Sequence, residues 1–141
     1  MMTNPTELWT NSRYRDVLAA TRVIAVVGFS DNPSRTSHAI GRYLQRAGYT
    51  VYPVNPTVER IGELKSYPTL ADVPEPIDIV NVFRRSEFLL GVVEDAIAVG
   101  AKLVWAQLGI TSPAAAARAA EAGLPLIMNN CIKITHSAVM R

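Results

Sequence analysis

The chain has 141 residues, 49% of them hydrophobic and 18% charged, a balance that excludes a disordered chain. Fourteen Lys and Arg against 12 Asp and Glu leave a formal net charge of +2, so there is no basic arm for nucleic acid. One cysteine, Cys131, excludes an internal disulfide framework and fits a reducing cytosol.

In chain order, Thr3 or Asn4 is placed to cap a first helix, with Pro5 at its first position. Leu8, Trp9, Val17 and Leu18 form its inner stripe. Val23–Val27 is a continuous apolar run rich in β-branched residues, as in a parallel strand buried on both faces. From about Thr36 a helix follows. Ala39, Ile40, Tyr43, Leu44 and Ala47 recur at helical spacing, and Gly48 sits where a C-cap belongs. Thr50–Val54 reads as the second strand, stopped by Asn55-Pro56. Residues 57–76 are less regular, with Tyr67-Pro68-Thr69 as a short edge strand. Ile77–Phe83 is the next strand, Glu87–Val99 a helix ending at Gly100, and Lys102–Gln107 a strand. Pro113–Ala122 is an alanine-rich helix closed by Gly123. Leu126–Asn129 is the last strand, and residues 131–140 form a tail with one or two helical turns.

Strands alternating with helices at short intervals imply an α/β fold. The expectation is a Rossmann-like, doubly wound, mainly parallel sheet in a three-layer α/β/α arrangement. One domain is expected over residues 1–141, with the helix of residues 1–20 packed on it. The N-terminal residues lack an apolar signal core, and no run approaches about 18 apolar residues. A cytoplasmic protein without membrane attachment is the expectation, as monomer or homodimer.

The segment from Val23 to His38 carries the most chemistry. A buried strand runs into Gly28, then a small polar loop with Arg35, then a helix. Gly28 lets backbone approach a ligand closely. The helix start offers free N–H groups and a favourable dipole for an anion. Ser30 and Pro33 depart from the Gly-x-Gly-x-x-Gly dinucleotide loop. The bland alternative is an ordinary strand-to-helix turn with Ser34 or Asp31 as the cap.

In an open α/β sheet, ligands bind at the carboxyl ends of strands, at the switch point. For strand order 3-2-1-4-5 that point lies between Val23–Val27 and Ile77–Phe83. The loops meeting there gather Arg35, Arg84, Arg85 and Lys133, which asks for a phosphorylated ligand. A typical NAD site needs an acid after the second strand. Val54-Asn55-Pro56 has none, while NADP stays open as the cofactor of a small oxidoreductase. No P-loop is present.

Together these residues resemble the small CoA-binding proteins whose domain also forms the nucleotide-binding part of succinyl-CoA synthetase α subunits. The resemblance spans roughly residues 15–135. It rests on Val27-Gly28-Phe29-Ser30 with Arg35 and Ser37, and on Val51-Tyr52-Pro53-Val54-Asn55-Pro56. It also rests on Asp78–Arg84, Val104-Trp105-Ala106-Gln107-Leu108-Gly109 and Asn130-Cys131-Ile132-Lys133. The resemblance implies a CoA or acyl-CoA ligand. On the family pattern, Gly28, Ser30, Arg35 and Ser37 hold phosphates, with Phe29 in the same loop. Pro53, Val54 and Asn55 border the nucleotide. Phe83 and Arg84 meet the adenosine end, with Arg85 either beside them or a plain surface arginine. Trp105, Gln107 and Gly109 lie towards the pantetheine arm. The synthetases' phosphorylated histidine and second domain have no counterpart in this sequence, so the synthetase reaction is not expected. A carrier, sensor or regulatory role without catalysis is.

Cys131 has two readings: a partner for the CoA thiol in a reversible mixed disulfide, or a buried small hydrophobe. His38 suits helix surface or loop packing, and His136 is close enough in sequence to assist Cys131. Neither histidine has metal-ligand spacing to a Cys or carboxylate, so no metal site is expected.

Overall fold

A computed structural model describes residues 9–140. The expected cap at Thr3 or Asn4, and Pro5 and Leu8, lie outside the described residues. Within them the first helix, α1, runs over Asn11–Ala20, and its cap is Thr10, whose hydroxyl accepts from Arg13 N–H.

Five parallel strands form the sheet: β1 (Val23–Val27), β2 (Thr50–Val54), β5 (Ile79–Val82), β6 (Val104–Ala106) and β7 (Leu126–Ile127). Their order is β2-β1-β5-β6-β7. The switch point therefore falls between β1 and β5, where Val27 pairs with Val82. Side chains alternate between the two faces. Ala25, Val27, Val80, Val82 and Val104 face α3 (Leu89–Ala98) and α4 (Pro113–Ala122). Ile24, Val26, Ile79 and Trp105 face α1, α2 (Thr36–Arg46) and α5 (Ile132–Val139). This is the Rossmann-like three-layer arrangement expected.

α2 buries Ser37, Ile40, Gly41 and Leu44, one stripe at helical spacing. Gly41 is there for contact: a Cβ would lie 2.2 Å from the ring of Phe29. α4 follows its signals closely, with Pro113 at its start, a Ser112 cap and Gly123 at φ 68°.

Four expectations are corrected. The strands read as Ile77–Phe83, Lys102–Gln107 and Leu126–Asn129 are shorter; the last is stopped by Asn129, which turns left-handed at φ 56°. The Tyr67–Thr69 edge strand shrinks to a single parallel bridge between Val54 and Tyr67, because Pro68 has no N–H to extend it. The irregular stretch contains an antiparallel hairpin, β3 (Arg60–Ile61) with β4 (Leu64–Lys65). Gly62 turns it at φ 59°, and Glu63 receives Arg42 Nη1 at 3.0 Å, tying it to α2. The Glu87–Val99 helix opens instead as a 3-10 turn, Ser86–Phe88.

Candidate functional site

The carboxyl ends of the strands carry two adjoining clefts. One, of about 450 Å³, lies between the start of α2 and the start of α5; Arg35, Gln107, Cys131 and Lys133 line it. The other, of about 480 Å³, is lined by Phe83, Arg84, Arg85, Ser86 and Gly109. Leu108, 54% exposed, borders both.

Gly28 sits behind them at φ 88°. A Cβ there would come 2.6 Å from the Phe83 carbonyl oxygen. Its N–H donates to Val54 O at 2.9 Å, so the residue serves close strand approach and offers no free donor. The loop after it is braced by its own side chains. Ser37 Oγ accepts from Ser30 N–H at 3.0 Å, and Ser30 Oγ from Asn32 N–H at 3.0 Å. Asn32 Oδ1 accepts from the Ser34 N–H and hydroxyl. His38 Nδ1 meets Ser30 O at 2.8 Å and its ring stands edge-on to Phe29, which settles it as loop packing.

Neither Ser34 nor Asp31 caps α2. Its N-cap is Arg35, with no side-chain cap bond. α5 likewise begins at Cys131 without one. The first N–H groups of a helix have no partner within it, so both starts offer donors and positive potential. Arg35, Arg84 and Lys133 have no carboxylate partner among the described residues. Arg84 lies over the Phe88 ring at 4.7 Å and Lys133 over Tyr43 at 5.5 Å. Arg85 pairs with Glu87 at 3.1 Å. A pair of adjoining open clefts with unneutralised cations and uncapped helix starts presents positive potential to whatever enters them.

Gln107 is only 9% exposed, and its Oε1 has no hydrogen-bond partner. A buried amide oxygen without a donor is costly unless something supplies one.

Eight of the expected residues line the clefts: Arg35, Gln107, Cys131 and Lys133 in one, Phe83, Arg84, Arg85 and Gly109 in the other. The other eight stand behind them. Phe29 and Trp105 are fully buried in the core. Trp105 Nε1 donates to Asn130 O at 3.2 Å, which fixes the turn into Cys131. Pro53 and Val54 are buried within β2. Asn55 Nδ2 donates to Phe29 O at 3.0 Å and its Oδ1 accepts from Thr57, so it too is a brace. Gly28, Ser30 and Ser37 shape the loop as described. His136 turns away to Tyr43, whose hydroxyl meets Nδ1 at 2.8 Å, and does not line the cleft with Cys131.

Sequence reasoning missed Asn32, whose Asn-Pro-Ser setting is a recognisable Asx-turn signal. Ser86 was legible only as the end of the Phe83–Ser86 loop at the switch point, and its role was not: its Oγ accepts from Thr111 N–H at 3.0 Å and donates to Gly109 O at 3.3 Å. Among the described residues no three His, Cys, Asp or Glu side chains converge as metal ligands. No helix among them is long and apolar enough to cross a membrane.

A family described as CoA binding domain matches residues 22–137. The chain belongs to that family. It is 42% identical over 136 residues to an uncharacterised protein, YneT, from Bacillus subtilis (strain 168), covering 96% of this chain and 98% of that one. The solved structure of a hypothetical protein from Pyrococcus horikoshii OT3 superposes with a TM-score of 0.93 at 35% identity, covering 100% of this chain and 99% of the other. An ADP-forming acetate–CoA ligase II from Archaeoglobus fulgidus matches at 34% identity over 61 residues, 42% of this chain but 9% of the ligase. The chain is thus similar both to small proteins of its own length and to a short segment of a large CoA ligase.

Proposed function

We propose that this chain binds CoA or an acyl-CoA along the two clefts and acts as a carrier, sensor or regulatory binding protein without a reaction of its own. The observation that carries the reading is the pairing of uncapped helix starts with Arg35, Arg84 and Lys133 around connected open clefts. Family membership and the ligase relative support CoA as the ligand. In this reading the pyrophosphate lies at Arg35 and the first N–H groups of α2. Arg84 takes the 3′-phosphate, with Phe83 beside the adenosine end. The whole chain works as one binding domain, α1 included.

The test is release of ligand from freshly purified protein by acid, with mass spectrometry of both fractions, followed by calorimetry with added CoA. Recovery of CoA or an acyl-CoA, or saturable binding of added CoA, is expected. Folded protein that ignores millimolar CoA would falsify the reading. Binding of NADP with none of CoA would move the site to a nicotinamide cofactor.

A further inference from the structure

Cys131 is the N-cap of α5, 7% exposed, and forms no cap bond with its own helix. It is free and lines the same cleft as Arg35, Gln107 and Lys133. A purely structural thiol needs no neighbours of this kind. Gln107 gives the independent pointer to a ligand: its side chain is nine-tenths buried in the cleft wall and its Oε1 lacks a donor. The pantetheine arm of CoA carries amide N–H groups along its length, and one of them beside Gln107 supplies that donor. The cleft also has an apolar rim, Leu108 and the 64% exposed Ile134, suited to the arm's alkyl segments. Arg35, Gln107 and Cys131 share the wall of this one cleft, so a ligand held by its phosphates at Arg35 and laid past Gln107 has Cys131 on its course.

We infer that Cys131 is a covalent attachment site for CoA, formed by thiol–disulfide exchange with a CoA disulfide. This rests on the proposed reading of the clefts. The Cys131 thiolate attacks one sulfur of the CoA disulfide. The CoA sulfur–sulfur bond breaks as the new bond to Cys131 Sγ forms. The second CoA leaves as a thiolate and takes up the proton that Cys131 lost. The disulfide itself is the oxidant, reduced to one free thiol while Cys131 is oxidised. A small-molecule thiol reverses the step.

The test incubates reduced full-length protein with CoA disulfide, and in parallel with glutathione disulfide, and follows intact mass over time. The expected product is heavier by one CoA less two hydrogens, maps to Cys131, and is absent from Cys131→Ser. Because recognition positions the sulfur, CoA disulfide should react about tenfold faster than glutathione disulfide or more. Arg35→Ala should slow the reaction with CoA disulfide several-fold more than that with glutathione disulfide, which a merely accessible or merely structural thiol would not do. No adduct, or equal rates with the two disulfides, overturns the inference. Calorimetry of wild-type protein with reduced CoA separates the two failures. Binding without an adduct removes the covalent step alone; no binding removes the reading of the clefts as well.

Discussion

At the amino end of the sheet, Asp78 Oδ2 accepts from the N–H groups of Arg22 and Val23, each at 2.9 Å, and Oδ1 faces Lys102 Nζ at 3.2 Å. Arg22 in turn pairs with Glu75 at 2.6 Å. At the carboxyl end, Arg35, Arg84 and Lys133 face clefts with no carboxylate beside them among the described residues. The cleft near Asp78 is also smaller, about 210 Å³ against about 450 and 480 Å³. The same strands thus close their charges internally at one end and leave them open at the other. An internally closed ion network contributes to stability and asks for nothing from solvent. An open one contributes little to folding and is available to a partner.

The largest effect is expected at Gly28. Gly28→Ala places a Cβ 2.6 Å from the Phe83 carbonyl oxygen on a backbone at φ 88°. It should cost roughly 3 kcal/mol of stability, read as a lower denaturation midpoint, and disturb both clefts together. An unchanged midpoint would mean that β1 and β5 can part without cost.

Arg84→Ala acts at the open end. Loss of a charge-assisted contact to the 3′-phosphate should weaken CoA binding by about 2 kcal/mol, with dephospho-CoA much less affected. Equal losses for both ligands in calorimetry reject that assignment. Stability should barely move, since Arg84 has no ion pair to lose.

Asp78→Asn probes the closed end, and the signs should reverse: stability falls by about 1.5 kcal/mol while CoA binding stays as it was. Burial works against the Asp78 carboxylate, but the backbone donors from Val23 and Arg22, with Lys102, outweigh it and hold its pKa below 3.8. The unfolded chain takes up this proton first. The stabilisation is therefore full above pH 3.8 and is lost as pH falls through the lower folded value. An acid-unfolding curve less steep for Asp78→Asn than for the wild type checks this.

A smaller effect belongs to His136. Burial holds its pKa below 6.5. Its share of stability is present above that pH and declines as acidification passes through the folded value. Thermal midpoints of wild type and His136→Gln should converge on going from neutral pH to about 5. The least effect is expected at Arg85, whose partner Glu87 is exposed like itself: Arg85→Ala should change stability by less than about 0.5 kcal/mol in thermal melts.

Where signals were local, the sequence was readable. Pro113 and Gly123 bracket α4 because both act through their own backbone angles. The unbroken apolar run of β1 announced a strand buried on both faces, and all five residues are buried. β3 and β4 escaped because two-residue strands have no room for alternation. Trp105 was placed towards a ligand, yet it belongs to the face holding Ile24 and Val26, one step short of the sheet's edge. Only Gln107, two residues on along the same face, emerges there. Strand register decides such a case, and register depends on neighbours distant in sequence. The same holds for the meeting of Arg35 with Cys131 and Lys133, which needs α2 and α5 side by side.

Trp105 has a practical side. Its indole is hydrogen-bonded to Asn130, whose Oδ1 also receives the Thr135 hydroxyl at 2.7 Å and whose neighbour is Cys131. Tyr14 stands between it and Trp9, with ring centroids 5.5 and 5.2 Å apart. Trp9 lines the cleft at the far end of the sheet. Replacing Trp9 with Phe leaves one indole, set directly behind the carboxyl-end cleft. Its emission wavelength then serves as an optical gauge of that cleft, readable without any attached dye, as a molecule enters or leaves.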